Sequence, residues 1–154
     1  MTRLFDQFTR ACEAIPYWLL ALLARLSLAA VFHLSFRTKV DFATWSLKPS
    51  TFYLFENEYA LPLIPSEFAA YMATAAELVL PILLVIGLGT RLAALGLLVM
   101  TLVIQLLVYP GAYPVHGPWM VAELLLMKYG AGALSLDALL ASRNDGRIAT
   151  APQS

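Results

Sequence analysis

The sequence predicts an all-α membrane protein, a four-transmembrane-helix bundle with a short interfacial segment between helices 1 and 2. Sixty per cent of its residues are hydrophobic and 13% are charged, whereas a typical soluble domain has about 25% charged residues. Its apolar residues fall into four runs, each close to the ~20 residues that cross a hydrocarbon core. These runs cover about residues 15–36, 67–88, 91–109 and 118–138.

The charge balance and the cysteine content exclude several classes of protein. The 10 Lys and Arg residues balance the 10 Asp and Glu residues, so no basic surface for nucleic acid is expected. Cys12 is the only cysteine, which rules out an internal disulfide or a C-x-x-C redox pair. We expect no removable signal peptide, because the first apolar run is too long for the hydrophobic region of a signal peptide and has no small-residue cleavage signature. The expected partners are the lipid bilayer and either a membrane protein or a second copy of the chain.

The first run follows a charged segment, residues 1–14, which we expect to be a cytoplasmic N-terminal segment. Pro16 suits the first turn of a helix. Arg25 lies close to the midpoint of the run, and His33 follows about two turns later. The stretch that comes next, residues 37–66, is too polar and too rich in proline to cross a membrane. Within it, residues 51–59 predict a short amphipathic helix packed on the membrane surface.

The second run contains two costly residues, Glu77 and Pro81. A carboxylate near the middle of a bilayer costs about 2.5–3.5 kcal/mol, so Glu77 must face protein or water. Pro81 has no N–H to donate to the carbonyl of residue 77, which is therefore left free. After this run, glycines at 87 and 89 predict a tight turn, and Thr90 is a suitable cap for the third helix.

The third run has one strongly polar residue, Gln105, and ends in the sequence YPGAYPVHGP, which predicts a loop over residues 109–118. The fourth run contains Glu123 and Lys128. Residues 15–141 are expected to form one membrane domain, followed by a disordered polar tail over residues 142–154.

Positive charges predict the orientation of the chain. With four spans, both termini lie on the same side as the 87–91 turn, and that side carries Arg3, Arg10, Arg91, Arg143 and Arg147. The other side carries three basic residues, Arg37, Lys39 and Lys48. Positive charge favours the cytoplasm, so both termini are expected to be cytoplasmic.

Four charged residues inside the runs suggest a buried polar network with no net charge: Arg25, Glu77, Glu123 and Lys128. Counting from the ends of the runs places Arg25 and Glu77 at the same depth, which predicts an ion pair near the bilayer midplane. Two interpretations stay open for this pair, a structural link between helices and a site that handles protons or ligands. Lys128 either extends toward the membrane surface or pairs with Glu123.

A second group of residues is a candidate ligand-binding set: His33, Lys39, Tyr71, Gln105, Tyr109, His116 and Trp119. Two histidines, one in a span and one in a loop, do not match haem or zinc ligation, and no metal site is expected. The alternatives are a polar lid, in which His116 and Tyr113 approach the outer ends of the first two spans, and ordinary interfacial histidines. The aromatic residues suit either a membrane-interface belt or the wall of a quinone-sized pocket.

Several of these features resemble the DoxX family of small membrane proteins. The family's buried glutamate is here Glu77, its turn motif is residues 87–93 (GLGTRLA), and its terminal motif is residues 130–137 (GAGALSLD). The first run keeps Arg25 and a remnant of a further motif, Ser35…Lys39…Trp45. Phe36 departs from the family pattern, in which a glycine is usual. The resemblance covers about residues 20–141.

The resemblance implies a four-helix protein of the bacterial inner membrane. Founding members of the family are named as small subunits of a thiosulfate:quinone oxidoreductase, and others are associated with oxidative stress or with gene clusters for metal-binding peptides. The resemblance therefore implies an accessory subunit of a redox system, with quinone as the candidate cofactor. An accessory role is expected because the chain has no self-sufficient redox or hydrolytic site. The alternatives are a transport or stress component with a polar path through Arg25, Glu77 and Glu123, and a purely structural partner. Quinone binding predicts an apolar cleft with one polar end, whereas transport predicts charged groups along a continuous path.

Overall fold

The computed structural model describes the backbone of residues 2–148 and the side chains of residues 3–143. The α-helices in this range are α1 (Thr2–Glu13), α2 (Tyr17–Lys39), α3 (Pro49–Tyr53), α4 (Ser66–Ile86), α5 (Thr90–Val103), α6 (Tyr113–Tyr129) and α7 (Leu136–Ile148). Two short strands, β1 (Val40–Asp41) and β2 (Ser46–Leu47), pair antiparallel after α2. Helix α3 continues into the π-helix Leu54–Tyr59, α5 continues into the π-helix Ile104–Val108, and a 3-10 turn, Pro110–Ala112, precedes α6.

Three helices in the described part of the chain are long and apolar enough to cross a membrane. They are α2, α4 and α5 with its π-helical extension, Thr90–Val108. Helix α6 has 17 residues and packs against α2 and α5. The predicted class, an all-α membrane protein, is confirmed.

Small residues allow the long helices to approach closely. Ala21, Ala93 and Ala94 are fully buried, together with leucines from α4, α5 and α6 (Leu84, Leu97 and Leu126). Helices in a bilayer gain little from the hydrophobic effect against one another, so close contact between backbones is what holds them together. The core of the bundle therefore lies where α2, α4, α5 and α6 meet.

The boundaries predicted for the fourth long helix and for the disordered tail are wrong. The fourth long helix begins at Tyr113 rather than at about 118, because Pro114 falls in its first turn, where a proline is tolerated. The same helix ends at Tyr129 rather than at 138, since Gly130 adopts a φ of 82°. Residues 142–148 of the predicted disordered tail belong to helix α7, and residues 149–154 lie outside the described part of the chain.

The chain between α2 and α4 lies against the end of the bundle. We call α3 with its π-helix (residues 49–59) the outer segment, and the end of the bundle near β1 and β2 the hairpin end. The opposite end, near the turn at residues 87–89, is called the turn end. Phe55 and Thr51 of the outer segment are buried, and Phe55 packs on Ala69 and Ala70 of α4. The predicted 51–59 element thus packs on the protein instead of projecting into water.

Candidate functional site

A buried ion pair connects α2 with α4. Lys39 Nζ donates hydrogen bonds to Oε1 and Oε2 of Glu77 at 2.7 and 2.8 Å, and to Ser35 Oγ at 2.7 Å. Ser35 Oγ also donates to Glu77 Oε1 at 2.9 Å. Lys39 is 4% exposed and Glu77 is 3% exposed. Each charge is neutralised by its partner, which is the condition under which a charged group tolerates burial.

The local sequence explains how these side chains meet. Ser35 and Lys39 are four residues apart, so they lie on the same face of α2. Lys39 is the last residue of α2, and its carbonyl accepts hydrogen bonds from Thr51 Oγ1 (2.8 Å) and from the Lys48 N–H (2.9 Å). The outer segment therefore fixes the end of α2, and from there the long lysine side chain reaches back along the helix to Glu77.

Glu77 also lines an apolar cleft between α4 and α5. The cleft has a volume of about 310 Å³, within the range of small-molecule sites. Its α4 wall runs from Phe68 to Glu77, about 14 Å at 1.5 Å per residue. The complete lining is Phe55, Tyr59, Leu61, Ile64, Phe68, Ala69, Met72, Ala73, Ala76, Glu77, Val99, Met100, Val103 and Ile104. Among the described lining residues, the ionisable side chains are those of Glu77 in α4 and Tyr59 in the outer segment.

The outer segment contributes two aromatic residues, Phe55 and Tyr59, to the lining of the cleft. Tyr59 lies there, with its ring centroid 4.7 Å from that of Phe55 and 6.2 Å from that of Tyr109. The Tyr109 hydroxyl donates a hydrogen bond to the Glu58 carboxylate, which raises the pKa of Tyr109 to about 12. Burial, followed by the negative charges of Glu77 and Glu58, raises the pKa of Tyr59. Tyr59 therefore keeps its proton at neutral pH.

The predicted pair between Arg25 and Glu77 is wrong. Arg25 is buried, and its hydrogen bonds within the described chain go to the carbonyls of Leu84, Val85, Ala131 and Leu134 at 2.7–2.9 Å. Val85 lies eight residues beyond Glu77, or about 12 Å along α4. At the turn end of the bundle, α2 extends beyond the last residue of α4. Arg25 and Glu77 therefore lie at different depths, although each is about equally far in sequence from the end of its own helix. Arg25 instead caps the C-terminus of α4, where exposed carbonyls favour a cation.

A second polar cluster closes the turn end around Arg25. Asp137 accepts hydrogen bonds from the N–H groups of Gly89 (2.8 Å) and Thr90 (3.0 Å), which caps the N-terminus of α5. Burial by itself raises the pKa of Asp137. The backbone hydrogen bonds lower the pKa and outweigh this effect, so the pKa of Asp137 is lowered overall. Gly87 has a φ of 68°, and a Cβ there would lie 2.5 Å from Ser135 Cβ. Only glycine fits this position, so the cluster is a structural clamp.

The other two members of the predicted charged network lie apart from the ion pair. Glu123 is fully buried, and its Oε1 accepts a hydrogen bond from Thr101 Oγ1 at 2.8 Å. Its Oε2 has no hydrogen-bond partner among the described residues. Lys128 is exposed, and its ammonium lies 4.9 Å from the centroid of the Tyr129 ring. Of the two alternatives for Lys128, the pair with Glu123 is absent from the described contacts, because residues five positions apart lie on different faces of a helix.

Gln105 and His116 form a separate link between α5 and α6. His116 Nδ1 lies 2.8 Å from Gln105 Oε1, and Gln105 Nε2 donates to the carbonyl of Pro110 at 2.7 Å. The His116 ring packs 5.0 Å from Trp119, which in turn packs 5.8 Å from Phe32 of α2. His116 is thus a helical residue within the bundle. Residues 109–118, predicted as a loop, contribute no residue to the lining of the cleft, whereas the outer segment contributes Phe55 and Tyr59.

The remaining ligand candidates do not face the cleft. His33 is exposed beside Phe36, with 6.1 Å between ring centroids, and Tyr71 is exposed against Phe52 at 5.6 Å. Tyr109 contacts the cleft only through Tyr59. No group of three or more His, Cys, Asp or Glu side chains in the described part of the chain is arranged to hold a metal ion.

The residues that shape the cleft were not predicted from the sequence, and Lys39 was predicted as a ligand-binding candidate and not as the partner of Glu77. The spacing of Ser35 and Lys39 was a usable signal, since it places a hydroxyl and an ammonium on one helix face. Tyr59 and Phe55 carried no such signal. Their position depends on the π-helix Leu54–Tyr59, a rare conformation whose location cannot be predicted from helical periodicity.

Comparison with known proteins identifies the family of this chain. No curated protein and no solved structure matches it. The family model described as DoxX matches residues 20–110, more than half of the 154 residues. The matched region includes α2, α4 and α5, and with them Ser35, Lys39 and Glu77. The match confirms the resemblance found in the sequence motifs: the chain belongs to the DoxX family.

Proposed function

We propose that this DoxX-family protein is an accessory subunit of a membrane redox system and that it binds a quinone-type molecule in the α4–α5 cleft. The observation that carries the proposal is the shape of the cleft. It is an apolar groove about 14 Å long that ends at a buried charged group, Glu77. Such a groove suits a molecule with an apolar tail and one polar ring.

The chemistry of the cleft agrees with this class of ligand. Its walls are aliphatic and aromatic side chains from both helices, and Glu77 lies at the inner limit of the α4 wall. Three residues of the lining, Phe68, Met72 and Val99, are more than half exposed, so the groove opens on the apolar outer surface of the bundle, where a membrane-dissolved molecule can enter it. The redox role rests on membership of the DoxX family.

The arrangement of charges gives less support to a transport function. A polar path needs charged groups that follow one another through the bilayer. Here Arg25 is held by carbonyls at the turn end, Glu77 by Lys39, and Glu123 by Thr101 on another helix pair. These three groups have separate sets of partners in the described chain.

We further propose a four-span topology in the bacterial inner membrane with cytoplasmic termini. Helix α6, with 17 residues, is about 26 Å long at 1.5 Å per residue, close to the thickness of a hydrocarbon core of about 30 Å. Three basic residues were predicted at the hairpin end. One of them, Lys39, is buried and is therefore left out of the charge comparison between the two ends. Arg37 and Lys48 then remain there against five arginines at the other end, which strengthens the charge bias for this orientation.

The binding proposal can be tested with a variant that fills the cleft. Ala76→Phe places a ring beside Glu77, and Val79→Phe is the matched control, because Val79 is 50% exposed and does not line the cleft. Both proteins would be reconstituted in lipid nanodiscs and titrated with a decyl-tailed benzoquinone, with thermal stability as the readout. We expect the quinone to stabilise the wild type and Val79→Phe in a saturable way, and to have no effect on Ala76→Phe.

Two results of this titration would contradict the binding proposal, and a third result, from a titration with decane, would contradict a quinone site. One is an absence of any saturable response in the wild type. The other is an equal response of Ala76→Phe and the wild type, which would place the binding outside the cleft. A response to decane equal to the response to the quinone would indicate an acyl-chain groove filled by lipid, and it would also reject a quinone site.

A further inference from the structure

We propose that helix α1 (Thr2–Glu13) lies in the plane of the membrane surface at the turn end of the bundle, with its apolar face inserted among the lipids. The partner of that face is the same bilayer that α2 crosses. This inference does not depend on a ligand in the α4–α5 cleft. It follows from how the residues of α1 are distributed around the helix and from where α1 joins α2.

The apolar residues of α1 form one continuous face. They occupy positions i, i+1, i+4, i+7 and i+8, the spacing of an amphipathic helix: Leu4, Phe5, Phe8, Ala11 and Cys12. The other described residues of α1 are polar and fall on the opposite side: Arg3, Asp6, Gln7, Thr9, Arg10 and Glu13. Residues 3–13 therefore separate completely into an apolar and a polar half.

The apolar face of α1 is open in the described part of the chain. Every described side chain of this helix is exposed, and the three largest apolar ones, Leu4, Phe5 and Phe8, are 76%, 69% and 67% exposed. Large apolar side chains gathered in one exposed patch mark a contact with lipid or with another protein. The core of the bundle does not supply this contact, because it is built from α2, α4, α5 and α6.

The position of α1 selects lipid as the partner. Only residues 14–16 separate α1 from Tyr17, the first residue of α2, so the end of α1 lies within about 14 Å of that residue. Helix α2 is long and apolar enough to cross a membrane. Tyr17 and Trp18 at its start are the residue types that gather at the headgroup level of a bilayer. Helix α1 is therefore held beside the membrane surface.

The link between the two helices makes α1 a separate helix. The N–H of Ile15 donates to the carbonyl of Cys12 at 3.1 Å, and Pro16 then has an extended backbone with φ −73° and ψ 140°. Ile15 is apolar and 47% exposed, and it continues the apolar face, since it lies seven residues after Phe8. A helix with Phe and Leu on one face and charges on the other lies in the interface, with the apolar face about 5–10 Å into the headgroup and acyl boundary.

The polar face of α1 indicates that apolar contact, and not charge, holds the helix to the bilayer. Arg3 and Arg10 are balanced by Asp6 and Glu13, so the described side chains of α1 have no net formal charge. Attraction to anionic lipid requires an excess of basic residues. We therefore expect the same membrane contact in neutral and in anionic bilayers.

The single cysteine of the chain allows the wild-type protein to report on this contact. Cys12 is exposed and not disulfide-bonded, so it can carry a nitroxide label on the apolar face. The labelled protein is reconstituted in phosphatidylcholine vesicles, and collisions of the label with oxygen, which dissolves in lipid, are compared with collisions with a water-soluble nickel chelate. We expect oxygen to dominate at Cys12. In the matched control, Arg10→Cys combined with Cys12→Ser, the label lies on the polar face and the chelate should dominate.

Two double variants labelled at Cys12 assign the contact to the apolar face. Phe5→Ser with Phe8→Ser removes both aromatic side chains, and we expect the ratio of oxygen to chelate collisions to fall toward that of the polar-face control. Asp6→Ser with Arg10→Ser changes the polar face by the same number of residues and keeps its net charge, so the ratio should stay at the wild-type value. All four substituted side chains are exposed and lie outside the bundle core.

The outcomes decide between lipid, water and protein as the surroundings of α1. Lipid contact at Cys12 that is equal with and without added phosphatidylglycerol, and that is lost in the phenylalanine variant, supports the proposal. A label as open to the chelate at Cys12 as in the polar-face control would overturn it, because α1 would then lie in water. Protection from both reagents would also overturn it, since protein would cover the face, and spin–spin broadening would identify that protein as a second copy. Lipid contact that appears only with phosphatidylglycerol would contradict apolar insertion.

Discussion

Lys39, the last residue of α2, donates hydrogen bonds to both carboxylate oxygens of Glu77, at the middle of α4. The two residues are 38 positions apart in the sequence, and the chain between them forms the hairpin and the outer segment. That connection has a structural consequence. The outer segment, whose Phe55 and Tyr59 line the cleft, also holds through Thr51 the lysine that neutralises the charge of Glu77.

The first prediction concerns this ion pair. Glu77→Gln and Lys39→Met each leave one buried charge without its partner, and we expect each to reduce the free energy of unfolding by about 3–5 kcal/mol. The double variant should lose much less than the sum of the two, because no charge remains unpaired. Unfolding in mixed detergent micelles measures all three. Lys128→Met, which removes an exposed lysine, is the control and should have little effect. Additive losses would contradict the pairing.

The second prediction concerns Arg25. Its guanidinium reaches four carbonyls on two segments, which a lysine ammonium cannot do because it is a compact charge with no planar fork. Arg25→Lys should therefore destabilise the fold by about 1.5–3 kcal/mol, the range for hydrogen bonds to charged groups. Arg91→Lys, at an exposed arginine, is the matched control. If Arg25→Lys is as stable as Arg91→Lys, Arg25 does not clamp the turn end.

The third prediction is a pH dependence at Asp137. Its pKa is lowered in the folded protein below the ordinary value of 3.8. A lowered pKa means that the carboxylate stabilises the fold at any pH above the unfolded value, and that this contribution is lost as the pH falls through the folded value. Asp137→Asn should cost about 1 kcal/mol at neutral pH, as expected for an N-cap, and the variant and the wild type should converge below pH ~3.8.

Asp6→Asn is the control for that measurement, because it removes an exposed aspartate of α1. Its stability should follow the wild type at every pH. A difference between Asp137→Asn and the wild type that persists unchanged below pH ~3 would show that the carboxylate charge is not the source of the stabilisation.

The fourth prediction contrasts the two buried glutamates. Glu123 has one hydrogen bond, from Thr101, and no described partner at Oε2, whereas Glu77 is paired with a lysine. Glu123→Gln keeps the shape and the acceptor for Thr101, so we expect a change of less than about 1 kcal/mol in unfolding free energy. Unfolding of Glu123→Gln beside Glu77→Gln tests this. Equal losses in the two variants would show that Glu123 also has a charged partner.

Part of the candidate site was predictable from residue chemistry. The sequence predicts that Glu77 is buried and paired, because a carboxylate within an apolar run must find a partner. Its true partner was harder to predict, since Lys39 lies at the helix end and looks like an ordinary flanking charge. The length of the lysine side chain allows it to reach back into the bundle, and that reach depends on how the helices are offset.

The all-α membrane class, the buried position of Glu77 and the glycine turn after α4 all follow from the sequence, because hydropathy, the cost of burying charge and backbone geometry act locally. The pairing of Lys39 with Glu77, the capping role of Arg25 and the cleft beside Tyr59 were decided by the tertiary structure. Each depends on the offset between α2 and α4 and on the π-helix Leu54–Tyr59. Packing between distant segments sets that offset, and no local pattern of residues encodes it.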